Sequence, residues 1–246
     1  MRVVILAAGK SSRMFKDLGK NKCLLEINNV SLISKIINDV YDAKISDLTV
    51  VTGFKKHLIE YHLSKHNNKI PIEFLHNPEF ETKDMMSSLI LALEKYNDDI
   101  ICLYSDIYFD PKILLDLSLI KATNEIIVPV NLNWQGVWNQ RKKDLIGDCE
   151  SLVHDKNYNL LEIGNKITDI SKVMAQFMGI VYFPKKLKKK ICDIYYDLAN
   201  KDKKKIHTTK FLNILIQNKI KVKCIKFKSY WYEFDDMEDY ENFKMN

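Results

Sequence analysis

The 246-residue sequence has no apolar run approaching the 18 or more residues that a helix needs to cross a bilayer. Membrane insertion through such a helix is therefore not expected. It has no C-x-x-C, and its cysteines, at 23, 102, 149, 192 and 224, are odd in number. Neither a disulfide framework nor a zinc site is suggested, and a reducing, cytoplasmic setting is the expectation. The opening MRVVILAAG imitates a signal peptide only faintly: its apolar stretch is too short and polar sequence follows at once. Arginine is scarce. Of 38 Lys and Arg residues only Arg2, Arg13 and Arg141 are arginines. Against 32 acidic residues the net charge is +6, too mild for a dedicated nucleic-acid binder. The lysine excess carries little functional meaning, whereas each arginine offers a planar fork that lysine cannot. No internal repeat is present. The Lys-rich stretches at 185–190 and 201–205 read as a solvated face.

What is there is ordinary globular composition, 46% hydrophobic and 28% charged. The length suits one domain, 1–246, with an insertion. Short apolar runs alternate with helical spacing through the first half. Strands are expected at 2–7, 48–52, 72–76 and 100–104, and helices at 31–42, near 55–65 and at 87–96. Continuous apolar strands alternating with helices imply an α/β fold, a doubly wound and mostly parallel sheet flanked by helices. Residues 131–172 hold two tryptophans, scattered charges and weak periodicity, and read as an insertion capping the sheet edge. Strand character returns at 174–183. Helices are expected near 185–199 and 208–218, a strand at 221–227 and a last helix from about 236, capped by Asp235 or Asp236.

The strongest local signal is Leu6-Ala7-Ala8-Gly9-Lys-Ser11-Ser12-Arg13, directly after the first strand. Ligands of open α/β sheets bind at the carboxyl ends of strands. Small residues there let backbone N–H groups close on an anion. Ser11 and Ser12 add hydroxyls, and Arg13 can fork onto phosphate oxygens. Neither G-x-x-x-x-G-K-[ST] nor G-x-G-x-x-G is present, which excludes the two common phosphate loops.

L-A-A-G-x-x-S-R, followed by Lys22 before a short apolar strand, resembles the nucleotidyltransferase family with a glycosyltransferase-A-like fold, that of the nucleotide-diphospho-sugar transferases. The resemblance implies that the loop wraps the triphosphate of an NTP and that Arg13 and Lys22 neutralise it during attack. It also implies Mg²⁺, held by Asp106 of Tyr104-Ser-Asp106 and by Asp235 of Trp231-Tyr-Glu233-Phe-Asp235, with Glu233 beside them. Two carboxylates from distant parts of the chain, meeting over a phosphate, are what a hard cation needs. Asp239 fits a different role, a first-turn carboxylate complementing the last helix's dipole. Asp84-Met-Met-Ser-Ser88-Leu matches a segment that contacts base and ribose, although Asp84 stands where Asn is usual.

The central region narrows the branch. Trp134 and Trp138, Arg141, Asp148 and Glu150, Leu-Glu-Ile-Gly164 and Ala-Gln176-Phe-Met-Gly179 resemble, in order and spacing, phosphocholine-type cytidylyltransferases and their 2-aminoethylphosphonate and phosphoglutamine relatives. An ammonium suits aromatic faces and carboxylates: Trp134 or Trp138, with Asp148 and Glu150. A phosphate or carboxylate suits Arg141. Gln176 and Glu233 complete the expected acceptor contacts. The implied reaction is Mg²⁺-dependent transfer of CMP from CTP to a small amine-bearing phosphate or phosphonate, releasing pyrophosphate. A sugar-1-phosphate nucleotidylyltransferase and a non-catalytic nucleotide-binding module are the alternatives. The sequence leaves the acceptor and the oligomeric state open, a homodimer included.

Overall fold

The structure, a computed structural model, describes residues 1–10, 19, 21–66, 68–82, 85–141, 144–198 and 206–245. The strands are β1 (Arg2–Ala7), β2 (Glu26–Ile27), β3 (Val30–Ser31), β4 (Asp47–Thr52), β5 (Ile72–His76), β6 (Ile100–Tyr104), β7 (Ile107–Phe109), β8 (Ile126–Asn131), β9 (Glu150–His154), β10 (Leu160–Lys166), β11 (Gln176–Phe177), β12 (Ile180–Phe183), β13 (Val222–Phe227) and β14 (Trp231–Glu233). The helices are α1 (Leu32–Asp42), α2 (Lys56–Lys65), α3 (Met85–Lys95), α4 (Lys112–Ser118), α5 (Trp134–Arg141), α6 (Leu145–Asp148), α7 (Lys188–Asp197), α8 (Thr208–Gln217) and α9 (Met237–Lys244). None is long and apolar enough to cross a membrane.

β5, β4, β1 and β6 lie side by side and parallel. β12 runs antiparallel between β6 and β8, and β13 is parallel to β8. β1, β4 and β6 are buried on both faces because their residues alternate between two cores, whereas β5, at the sheet edge, is only partly buried. Val3, Ile5 and Ala7 pack with α1, α2 and α4. Val4 and Leu6 pack with α3, α7 and α8. This explains why these strands read as continuous apolar runs.

The expected strand at 174–183 is broken into β11 and β12 at Met178–Gly179. Gly179 has φ +72°, and a Cβ there would lie 3.0 Å from the Tyr104 ring, so only glycine lets the chain turn this close to the end of β6. The region 131–172 is more regular than its weak periodicity suggested. It holds α5, α6 and an antiparallel β9–β10 hairpin. α8 packs on this hairpin, with Asn213 accepting from the Ile163 N–H. Lys22 starts a 3-10 turn, Lys22–Leu24, and the strand that follows is only two residues long.

The five cysteines are free and buried. Burial pushes Cys23, Cys149 and Cys224 up to about 12 and Cys192 up to about 11, and raises Cys102 further. Because the thiolate is the nucleophile, native protein at about pH 8 takes up iodoacetamide slowly, and unfolded protein takes up five equivalents by intact mass. Rapid labelling of the native chain would contradict this burial.

Candidate active site

The carboxyl ends of β1 and β6 open onto one edge of the sheet. At β1, Leu6, Ala7 and Ala8 are buried, and Gly9 follows with open space where a Cβ would stand. Among the described residues, packing therefore does not require glycine at 9. The main chain of Phe54 fastens both flanks of the loop. Its N–H donates to Ala8 O (3.1 Å) and its carbonyl accepts from Asn21 Nδ2 (2.9 Å). Gly53 makes this approach possible, since a Cβ there would sit 2.7 Å from Ala8 O. Ser11, Ser12, Arg13 and Asp84 lie outside the described residues.

Asn21, anchored in this way, delivers Lys22 to the sheet edge. Lys22 Nζ donates to Asp106 Oδ2 (3.2 Å), just beyond β6, and to Asp235 Oδ1 (3.5 Å), just beyond β14. The short β7–β14 ladder brings these distant segments together by pairing Ile107 with Glu233. Sequence reading did not find this ladder, because its three-residue strands carry no periodic signal. Phe234 N–H donates to Asp106 O (3.0 Å) and closes the arrangement.

The electrostatics are those of crowded carboxylates. Burial works to lower the Lys22 ammonium pKa, but Asp106, Asp235 and Glu233 together raise it. Burial raises the Asp106 carboxyl, Lys22 opposes the shift and Asp235 adds to it. Glu233 is held well above the usual carboxylate range by burial, then by Asp235 and Asp106. Lys22 is thus a cation fixed in a pocket of excess negative charge.

Arg141 occupies a place the acceptor reading did not foresee. It is 1% exposed, and its fork grips Asp239, which is 0% exposed. Nε donates to Oδ1 (2.9 Å) and a terminal nitrogen to Oδ2 (3.0 Å). The same nitrogen reaches Asp235 Oδ2 at 2.8 Å. Asp239 also accepts from the Asp235 N–H (2.8 Å) and forms a capping box with Asp236 at the start of α9. The sequence placed Asp239 correctly in the first turn but gave no sign of its partner. Asp236 is the cap; Asp235 is left for the site.

Two further expectations need correction. Trp134 and Trp138 are buried, with Trp138 stacked on Trp231 (6.2 Å between centroids, 18° between planes) and Trp134 edge-on to Trp138. They are core, holding α5 against β14, and not an open cage. Arg141 is committed to carboxylates and does not face outward.

The remaining candidates are dispersed. Asp148 and Glu150 are exposed at the α6–β9 junction. Gln176 is half-buried on β11, opposite Asn131. Tyr104 ends β6 with its ring edge-on to Phe177 (5.8 Å), and burial drives its phenol well above the usual value. Ser88 is buried, and its hydroxyl accepts from Asn77 Nδ2 (2.8 Å), which also bonds Ser87 (2.9 Å). Asn77 went unnoticed in the sequence, where nothing marks a single Asn after a strand.

The described partners of Lys22 are carboxylate oxygens. Asp106, Glu233, Asp235 and Asp239 outnumber Lys22 and Arg141. Such a set fits a hard divalent cation that takes one or two carboxylates and completes its shell with phosphate and water. Among the described residues no three His, Cys, Asp or Glu side chains gather to hold a metal unaided. A cation here would depend on the substrate's phosphates.

Known proteins similar to this chain are nucleotidyltransferases. Over 98% of both chains this protein is 27% identical to the CTP:phosphoglutamine cytidylyltransferase of Campylobacter jejuni. Two solved structures share the fold. The CTP:phosphocholine cytidylyltransferase of Streptococcus pneumoniae aligns over 99% of this chain and 97% of its own, with a TM-score of 0.74 and 18% identity. The inositol-1-phosphate CTP transferase of T. maritima aligns over 99% and 94%, with a TM-score of 0.75 and 17% identity. A family model described as the MobA-like NTP transferase domain matches residues 3–162, from β1 into β10. The chain belongs to the MobA-like NTP transferase domain family and is a nucleotidyltransferase.

Proposed function

We propose that this enzyme transfers CMP from CTP to a small amine-bearing phosphate or phosphonate, with phosphoglutamine the first candidate among phosphoglutamine, phosphocholine and 2-aminoethylphosphonate. The observation that carries this reading is Lys22 held between Asp106 and Asp235 at the open edge of β1 and β6. The full-length likeness to a phosphoglutamine cytidylyltransferase supports the choice of base and acceptor.

A phosphate or phosphonate oxygen of the acceptor attacks the α-phosphorus of CTP. The bond to the β-phosphate oxygen breaks, and pyrophosphate leaves with the electron pair. The acceptor is already ionised near neutral pH, so no general base is needed. The chain's work is positioning and charge neutralisation. Ala7, Ala8 and Gly9 let the backbone approach the triphosphate, and Lys22, with Arg13, offsets its charge. Arg141 and Asp239 hold Asp235 in place. Mg²⁺, when bound by Asp106 and Asp235, would supply further neutralisation of the phosphates. Residues 131–172 stay the proposed acceptor region through Asp148 and Glu150, joined by Gln176 of β11, without the tryptophans. Free buried thiols match a cytoplasmic setting.

The test is pyrophosphate release with CTP and Mg²⁺ against phosphoglutamine, phosphocholine, 2-aminoethylphosphonate and glucose 1-phosphate. Turnover with an amine-bearing acceptor is expected. Turnover with glucose 1-phosphate alone would overturn the reading.

A further inference from the structure

β5 is the outer edge of the main sheet. β4 pairs with it on one side, and among the described residues no strand pairs with it on the other. The Asn77 N–H, just beyond β5, donates to Thr52 O (2.9 Å). Alternation along the strand therefore turns the N–H and C=O of Glu73 and Leu75 toward β4 and those of Ile72, Phe74 and His76 outward. We propose that this edge pairs with the same edge of a second copy, antiparallel about a two-fold axis at Phe74, so that the protein is a homodimer with one continuous sheet.

The edge is open and lacks the usual guards. An unpaired strand is a template for another chain, and proteins blunt it with lysine, proline or a bulge. Residues 72–76, Ile-Glu-Phe-Leu-His, hold no lysine or proline, and their register with β4 is unbroken. The chain leaving β5 turns inward, since Phe80 lies against Gly53 at the end of β4. The strand's one carboxylate, Glu73, is already met by Lys95 (2.7 Å) and Arg2 (3.2 Å).

The edge is also its own complement, as a two-fold interface requires. With Phe74 opposite the partner's Phe74, Ile72 falls opposite the partner's His76, and each such pair exchanges two main-chain hydrogen bonds. No outward group of these three residues is left over. Their side chains share one face, and Ile72 places that face on the core that holds α1 and α2. Phe74 is 38% exposed in the single chain and meets its own copy as a cross-strand aromatic pair. Beside it a groove of about 390 Å³ runs between α2 and β5, lined by Leu63, Ser64, Pro71, Ile72 and Phe74. The partner's His76, opposite Ile72, stands at this groove. Charge agrees with the antiparallel sense. Lys69 lies five residues before Phe74 and Glu79 five after it, and both are exposed. The two-fold axis puts Lys69 at the same end as the partner's Glu79, whereas a parallel pairing would set like charges together.

Sedimentation velocity on the full chain should show a dimer at about 100 µM that dissociates on dilution. Phe74→Lys sets two like charges directly opposite each other and removes the aromatic pair, so it should raise the dissociation constant at least about tenfold. His76→Pro, at an exposed residue, takes away an outward N–H and leaves the ladder to β4 intact. It should weaken the dimer to a similar extent and provides the test if Phe74→Lys fails to fold. Phe74→Cys reads the register. Opposed Cα atoms of a hydrogen-bonded pair stand about 5.5 Å apart, within reach of a disulfide, and the native cysteines are buried. Under mild oxidation this variant should cross-link into a dimer, while Leu119→Cys, at a residue 70% exposed beyond α4, should not. A monomer at about 100 µM, a dimer that Phe74→Lys and His76→Pro both leave unchanged, or equal cross-linking at the two positions overturns the proposal.

Discussion

Lys22→Ala should keep its fold and lose about 10²–10³ of its turnover, the usual cost of removing one charge-stabilising contact. The two halves of this expectation rest on different parts of the residue. The backbone is anchored independently of the side chain, by Asn21 on Phe54 and by buried Cys23, Leu24 and Leu25. The ammonium alone bridges Asp106 and Asp235. These carboxylates are partly exposed, at 21% and 31%, so solvent screens their repulsion when the lysine is gone. Stability should fall by about 1 kcal/mol, a few degrees of Tm for a chain of this size. Lys22→Arg should not rescue, because the larger guanidinium spreads its charge over a plane and cannot place it where the compact ammonium sits. Turnover at saturating substrate, with a thermal melt, checks both halves. Near-normal turnover would remove Lys22 from the reaction.

The second large effect is expected at Arg141. Its guanidinium and Asp239 are almost completely buried, and removing one partner strands the other. Breaking such a pair costs about 3–5 kcal/mol, or roughly 10 °C of Tm here. Arg141→Met should therefore destabilise strongly and also lower activity, since Asp235 loses its 2.8 Å contact. The double variant Arg141→Met with Asp239→Asn removes both charges and leaves Asn to serve the α9 cap. It should recover part of the stability and none of the activity. A double-mutant cycle from denaturant melts measures the coupling. If the double variant regained activity with stability, Arg141 would be only a structural brace.

These residues mark the limit of what the sequence makes legible. β1, β4 and β6 could be read because burial on both faces writes apolar runs into them. The β7–β14 ladder could not, since three-residue strands owe their existence to each other and to the Trp231 and Phe109 core. Lys22, Asp106 and Asp235 were legible because they recur at spacings that resemble a family. The tryptophans and Arg141 were legible as a pattern but not as a role. Whether a tryptophan face meets a ligand or another tryptophan depends on where α5 docks. Asp239 shows the same thing in reverse: first-turn placement was evident locally, while its ion pair joins residues 98 positions apart.

The most direct test of the central claim is ³¹P NMR of CTP, Mg²⁺ and phosphoglutamine incubated with the enzyme and, separately, with Asp106→Asn. The account predicts a pair of coupled resonances from a new diphosphate and an equal amount of pyrophosphate, both absent with Asp106→Asn. Conversion that proceeds unchanged with Asp106→Asn, or CTP consumed to CMP and pyrophosphate with no new diphosphate, would contradict it.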